Sequence, residues 1–226
     1  MRRGLWPWPL DYLAAIWDNL ENTKMNLIFD FDGIIVDSQT VYNRGIFHAL
    51  KQAGFDYTLA QVEDYTNFQY FETISLLAKE KAKEIEELLV KDILKQVKEK
   101  DFLFPGVQKA LKKLAARNKL YIASNSREDI LHQTCQFYKL PFTAVIGRTQ
   151  KFKTKPPALN WLIKEHNLDK GQSAYVGDSV QDIRLARNAE MMAIAVATGW
   201  DSKERLAKGK PDKLYSSLTE MAEDKF

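Results

Sequence analysis

The sequence holds a single cysteine, Cys135, in 226 residues. An internal disulfide is thereby excluded, and the composition fits a reducing compartment. Cys135 itself reads as a small core residue rather than a nucleophile, with only His132 near it in sequence. Charge of one sign is equally scarce. Lys and Arg total 33 against 30 for Asp and Glu, a formal net charge of +3. The lysines are interleaved with glutamates, so no basic stripe for nucleic acid stands out. No apolar run approaches the ~20 residues that a membrane helix needs, so no transmembrane segment is expected. The histidines His48, His132 and His166 are unclustered and read as structural or exposed. Internal repeats and low-complexity tracts are missing as well. What remains, 45% hydrophobic and 28% charged residues, is ordinary for a soluble enzyme. The length suffices for one full core and a smaller satellite domain.

Residues 1–24 read as an N-terminal extension, rich in tryptophan. Leu10, Leu13, Ile16 and Trp17 share one helical face, for which docking on the body is the plain explanation. Pro7, Pro9 and Asp11 interrupt the apolar patch, and Asp11, Asp18 and Glu21 disfavour an organelle transit peptide. The expected localisation is cytoplasmic. Met25, just before the first strand, offers an alternative start.

From Val41 to about Lys100 the pattern is helical. Ile46, Phe47, Leu50 and Ala53 share a face and Gly54 is a plausible stop. Ile85, Leu88, Leu89, Ile93 and Val97 recur at helical spacing among solvated charges. Elsewhere, short apolar strands alternate with helices: "NLIF" from Asn26, "LYIAS" from Leu120, "TAVIG" from Thr143, "SAYVGD" from Ser173 and "MAIAVATG" from Met192. Continuous apolar strands between helices indicate an α/β fold, a doubly wound parallel sheet covered on both faces. Residues 25–40 and 101–226 would form this Rossmann-like catalytic core, and 41–100 an inserted all-helical cap domain.

Polar residues fall at the ends of those strands. Asp30 and Asp32 follow the first, Ser124 and Asn125 end the second, and Gly177 and Asp178 end another, with Asp182 one helical turn later. A parallel sheet brings all these ends to one edge, where open α/β folds place their ligands. Converging carboxylates repel one another and call for a cation. Mg²⁺, held by one or two carboxylates plus substrate phosphate, answers that chemistry.

In order and spacing, "DFDGIIVDS", "SNS", Lys155–Pro156 and "GDSVQD" resemble the four motifs of the haloacid dehalogenase-like hydrolase superfamily. The resemblance runs from Asn26 to the C-terminus. It is to the branch similar to phosphoglycolate phosphatase, with a helical cap inserted after the first motif. The second aspartate, Asp32, resembles the phosphatases and phosphomutases of the superfamily rather than its dehalogenases. The resemblance implies a Mg²⁺-dependent phosphomonoesterase acting on a small phosphorylated metabolite, phosphoglycolate-like among the options, through an aspartyl-phosphate.

It also implies a role for each residue. Asp30 is the expected nucleophile, and Asp32 the general acid and then base. Asp30, the Asp32 backbone carbonyl and Asp178 are the expected Mg²⁺ ligands. Ser124, the Asn125 backbone N–H and Lys155 would hold phosphoryl oxygens. Asp182 would orient water or Lys155 rather than bind the metal, and Gly33 would let the backbone turn beside the phosphate.

Bland readings stand beside these. Ser126 with Asp129, and Asp37 with Ser38, fit helix caps. Three departures from the family pattern are visible: Ile34 for a threonine, "KPPA" for Lys-Pro-x-Pro, and Glu190 for a glycine. For the last, Asn188 is the expected left-handed residue. Substrate choice is expected from residues 65–75, where Tyr65, Phe68, Tyr70 and Phe71 fit a pocket, with Arg44 and Arg127 as the nearest basic groups. Two rival readings are kept. A phosphomutase similar to β-phosphoglucomutase would carry a histidine where Tyr42 stands. A non-enzymatic phospho-accepting or interaction protein, like a receiver domain, would lack the helical insertion. The oligomeric state is left open.

Overall fold

The computed structural model describes residues 24–65, 70–99 and 102–224. The expected face of Leu10, Leu13, Ile16 and Trp17, and with it the N-terminal extension up to residue 23, lies outside them. Six strands form one parallel sheet: β1 (Asn26–Phe29), β2 (Lys119–Arg127), β3 (Ala144–Arg148), β4 (Ser173–Gly177), β5 (Met192–Val196) and β6 (Lys213–Tyr215). The order across the sheet is β3-β2-β1-β4-β5-β6, every neighbouring pair parallel. This is the doubly wound α/β arrangement that the strand pattern predicts.

The alternation of the strands sorts their side chains between two cores. Leu27, Phe29, Leu120, Ile122, Ala174, Val176, Ile194 and Val196 face one side. Ile28, Tyr121, Ala123, Tyr175, Ala193 and Ala195 face the other. On the first side, α5 (Val107–Ala115) buries Val107, Ala110, Leu111 and Leu114, and α10 (Leu218–Met221) adds Leu218 and Met221. The second side is covered by α7 (Lys155–Glu165) through Leu159 and Leu162, α8 (Val180–Asn188) through Ile183 and Ala186, and α9 (Lys203–Lys208) through Leu206. Burial on both faces is why these strands carry almost no polar residue before their ends.

Between β1 and α5 the described residues form four α-helices: α1 (Ser38–Gln52), α2 (Leu59–Tyr65), α3 (Tyr70–Ala78) and α4 (Ala82–Glu99). Their apolar stripes, including Ile46, Leu50, Ile74, Ile85, Leu89 and Ile93, join the first core. The helix α6 (Glu128–Phe137) follows β2 and packs Ile130 and Leu131 against the same cluster.

Local chemistry departs from expectation in a few places. Glu190 itself takes the left-handed conformation at φ 60°, while Asn188 remains the last residue of α8. The backbone geometry at the helix exit, rather than side-chain preference, sets which residue turns. Asp37 stands at the N-cap of α1 without a capping side-chain bond. The cap of α6 is Arg127, because the Ser126 hydroxyl is drawn to Asp32 instead. The strand β6 and helices α9 and α10 lie in short stretches with too few apolar residues to show a period.

Candidate active site

The sheet order reverses beside β1, between β2 and β4, and the strand ends there open a crevice. A cavity of about 260 Å³ occupies it, walled by the strand ends on one side and by α1, α3 and α4 on the other. Asp30, Asp32, Gly33, Ser124, Asn125, Lys155, Asp178 and Asp182 all line this cavity. The eight residues expected to carry catalysis, phosphate binding or metal binding are thus brought to one place.

The floor is a chain of buried charges. Lys155, the first residue of α7, places Nζ 2.5 Å from Asp30 Oδ2 and 2.6 Å from Asp182 Oδ1. Its backbone N–H donates to Asn125 Oδ1 at 2.7 Å, tying the helix start to the end of β2. Burial by itself would lower the Lys155 pKa; the Asp182 and Asp30 carboxylates overcome it and hold the ammonium charged. Asp30 is fixed on both oxygens, since Phe31 N–H donates to Oδ1 at 2.7 Å. Burial nevertheless raises its pKa, against the pull of Lys155. Phe31 is fully buried and joins the first core, away from the charges.

Asp182 sits in the first turn of α8. The Ser179 hydroxyl caps that helix, accepting from Asp182 N–H and donating to Asp182 Oδ2 at 2.6 Å, a reciprocal cap. Both Asp182 oxygens therefore have partners, Lys155 and Ser179. Asp178, just after β4, accepts from Trp200 N–H at 2.6 Å. Two glycines make room for it: a Cβ at Gly33 would lie 2.1 Å, and one at Gly199 1.9 Å, from Asp178 Oδ2. Gly33 also needs its freedom for φ, which is +70°.

Asp32 has a different setting. Ser126 Oγ donates to its Oδ2 at 2.5 Å, and Tyr42 Oη lies 2.9 Å from Ser126 Oγ. Among the described residues, its buried Oδ1 has no hydrogen-bond partner. The Ser38 hydroxyl is close enough to favour the charged form without bonding to Oδ1. Burial, then the Asp30 charge, pushes the Asp32 pKa up to about 6.

The carboxylate oxygens of Asp30, Asp178 and Asp182 lie within 4.8 Å of one another, all on buried residues. An all-oxygen, acidic cluster of that kind fits a hard divalent cation.

Ser126, Tyr42, Trp200 and Arg148 also line the cavity and are not legible as site residues from spacing alone, whereas Tyr70, one of the expected pocket aromatics, lines it as well. Ser126 falls within "SNS", but a capping role explains it equally well until the fold brings Asp32 to it. Tyr42 and Tyr70 stack, ring centroids 4.2 Å apart and 10° from parallel. Of the expected substrate-selecting region, residues 66–69 with Phe68 lie outside the described residues, as does the Phe71 side chain. Tyr65 is exposed. Arg127 lines the cavity paired to Glu87 and Asp129, and Arg148 is paired to Glu86 at 2.5 Å. Arg44 lies elsewhere, beside Asn43 and Glu63 in a separate surface pocket.

Residues 27–196 match the family of haloacid dehalogenase-like hydrolases. The chain belongs to that family. It is similar to a phosphoglycolate phosphatase of Vibrio vulnificus, 27% identical over 212 residues, covering 86% of this chain and 93% of the relative. A phosphoglycolate phosphatase of Synechococcus elongatus is 26% identical over 206 residues, covering 86% and 94%. In fold it is similar to a haloacid dehalogenase-like family protein of Streptococcus pneumoniae, with a TM-score of 0.75 at 20% identity, covering 88% and 97%. Among the described residues, no helix is long and apolar enough to cross a membrane.

Proposed function

We propose that this hydrolase is a Mg²⁺-dependent phosphomonoesterase of the core-plus-helical-cap kind, working on a small phosphorylated metabolite. The observation that carries the reading is the division of labour between Asp30 and Asp32. The first is ion-paired to the Lys155 ammonium; the second accepts from the neutral Ser126 hydroxyl on one oxygen and, among the described residues, has no partner on the other. A nucleophile must stay charged and oriented, whereas a general acid must hold a proton near neutral pH.

Asp30 attacks phosphorus, and as the ester P–O bond breaks, the Asp32 proton passes to the departing alcohol. Asp32, now a carboxylate, takes a proton from water. That water attacks the phosphorus of the aspartyl-phosphate, releasing inorganic phosphate and restoring both carboxyls. Lys155, the Ser124 hydroxyl and the Asn125 backbone N–H offset charge on the phosphoryl oxygens. Asp182 keeps Lys155 aimed at Asp30. Asp30, the Asp32 backbone carbonyl and Asp178 would hold Mg²⁺, which when bound lessens the repulsion between carboxylate and phosphate. The helices α1, α3 and α4 would screen the reaction from bulk water, with residues 41–100 acting as the cap.

The names of the relatives put phosphoglycolate first among substrates to try, and the single cysteine supports a cytoplasmic setting. Hydrolysis of p-nitrophenyl phosphate with and without Mg²⁺ tests the reading, followed by a panel of phosphorylated metabolites headed by phosphoglycolate. Turnover that persists after chelation would overturn it.

A further inference from the structure

We infer that Tyr42 and Ser126 are positioning residues that present Asp32 to the leaving group, with Oδ1 as the oxygen that carries the proton. This rests on the phosphomonoesterase reading above. A serine hydroxyl has one hydrogen. Ser126 Oγ spends it on Asp32 Oδ2 at 2.5 Å, so the 2.9 Å contact with Tyr42 must run from the tyrosine O–H to Ser126 Oγ. The relay is therefore directional: Tyr42 to Ser126 to Asp32 Oδ2. Oδ2 is occupied as an acceptor, and among the described residues Oδ1 is left buried without a partner.

A buried, unpaired oxygen is costly, and a substrate oxygen arriving in the cavity relieves that cost by sharing the Oδ1 proton. Tyr42 cannot easily swing away. It is buried and lies flat against Tyr70 of α3, ring centroids 4.2 Å apart. Tyr42 belongs to α1, while Ser126 and Asp32 belong to the sheet edge. The aim of the acid thus depends on α1 and α3 sitting over the site.

General-acid help matters in proportion to how poor the leaving group is. The test uses the full chain with Mg²⁺, in wild type, Ser126→Ala, Tyr42→Phe and the double variant. Each is assayed for kcat/KM on phosphomonoesters graded from an alkyl phosphate to 2,4-dinitrophenyl phosphate. The ratio kcat/KM reports only steps through alcohol release, so later use of Asp32 as base does not intrude. On the alkyl phosphate, Ser126→Ala should lose about tenfold or more, a fraction of the usual worth of a general acid. On the dinitrophenyl ester the loss should stay within about threefold. Tyr42→Phe should give the same steepened dependence in milder form. The double variant should match Ser126→Ala, because groups in series are not additive. An equal loss across the whole series, or none, overturns the relay. If wild type needs no Mg²⁺ or Asp30→Asn keeps full activity, the phosphomonoesterase reading falls and the relay with it. A Mg²⁺-dependent, Asp30-dependent wild type with flat variants removes the relay alone.

Discussion

The floor of the cavity and its helical wall treat charge in opposite ways. On the floor, Asp30, Lys155, Asp178 and Asp182 are each less than a tenth exposed and bound to one another or to backbone N–H groups. On the wall, Glu87 is 59% exposed at its side chain where it meets Arg127, and α4 turns most of its other lysines and glutamates to solvent, Glu86 beside Arg148 excepted. Desolvating four ionised groups is expensive and gains no apolar contact. A fold keeps such an arrangement for chemistry. The outer face of the wall is built as that of any amphipathic helix is built, and its charges serve solvation.

Changes on the floor should therefore be severe and changes on the solvent-facing side of the wall slight. Asp30→Asn should lower kcat on p-nitrophenyl phosphate by at least ~10⁴-fold, as loss of a nucleophile does elsewhere, while leaving the circular dichroism spectrum intact. Lys155→Met leaves two buried carboxylates facing each other. It should destabilise the Mg²⁺-free protein to urea by about 3–5 kcal/mol, the cost of breaking a buried pair. Gly199→Ala drives a methyl into the space of Asp178 Oδ2, so the Mg²⁺ concentration for half-maximal activity should rise about 10–100-fold. A smaller shift would mean that Asp178 has room to move.

The floor also sets a pH dependence. Asp32 has a folded pKa of about 6 against an ordinary value of 3.8, and Asp30 and Asp178 are raised in the same direction by burial. Between those values the folded state binds more protons than the unfolded state, so stability falls as pH rises through this window. In EDTA, urea unfolding should show the protein more stable at pH 5 than at pH 7, by on the order of 2 kcal/mol. At the small end, Glu87→Gln, which removes the Arg127 partner on the wall, should change stability by less than ~1 kcal/mol. A larger effect there would erase the distinction between floor and wall.

The same contrast governs what could be read in the sequence. The floor is legible because polar residues end apolar strands, and a parallel sheet leaves those ends only one place to go. Asp30, Ser124, Lys155 and Asp178 met there from strand register and motif order. Ser126 and Tyr42 were not legible as partners of Asp32. They are 84 residues apart in the chain and meet only because α1 packs over the end of β2. The left-handed Glu190 was missed for a related reason: the exit geometry of α8 outweighs the preference of Asn188 for that conformation. β6 escaped because its three residues, Lys213–Tyr215, are too few to show alternation.

The central claim is that Asp30 becomes phosphorylated. The most direct test is to quench p-nitrophenyl phosphate turnover in acid, reduce with borohydride, and map the products by peptide mass spectrometry. An acyl phosphate is reduced to the alcohol, so Asp30 should be converted to homoserine, and only when Mg²⁺ was present during turnover. Undiminished turnover with an unmodified Asp30, or conversion at a different carboxylate, would contradict the account.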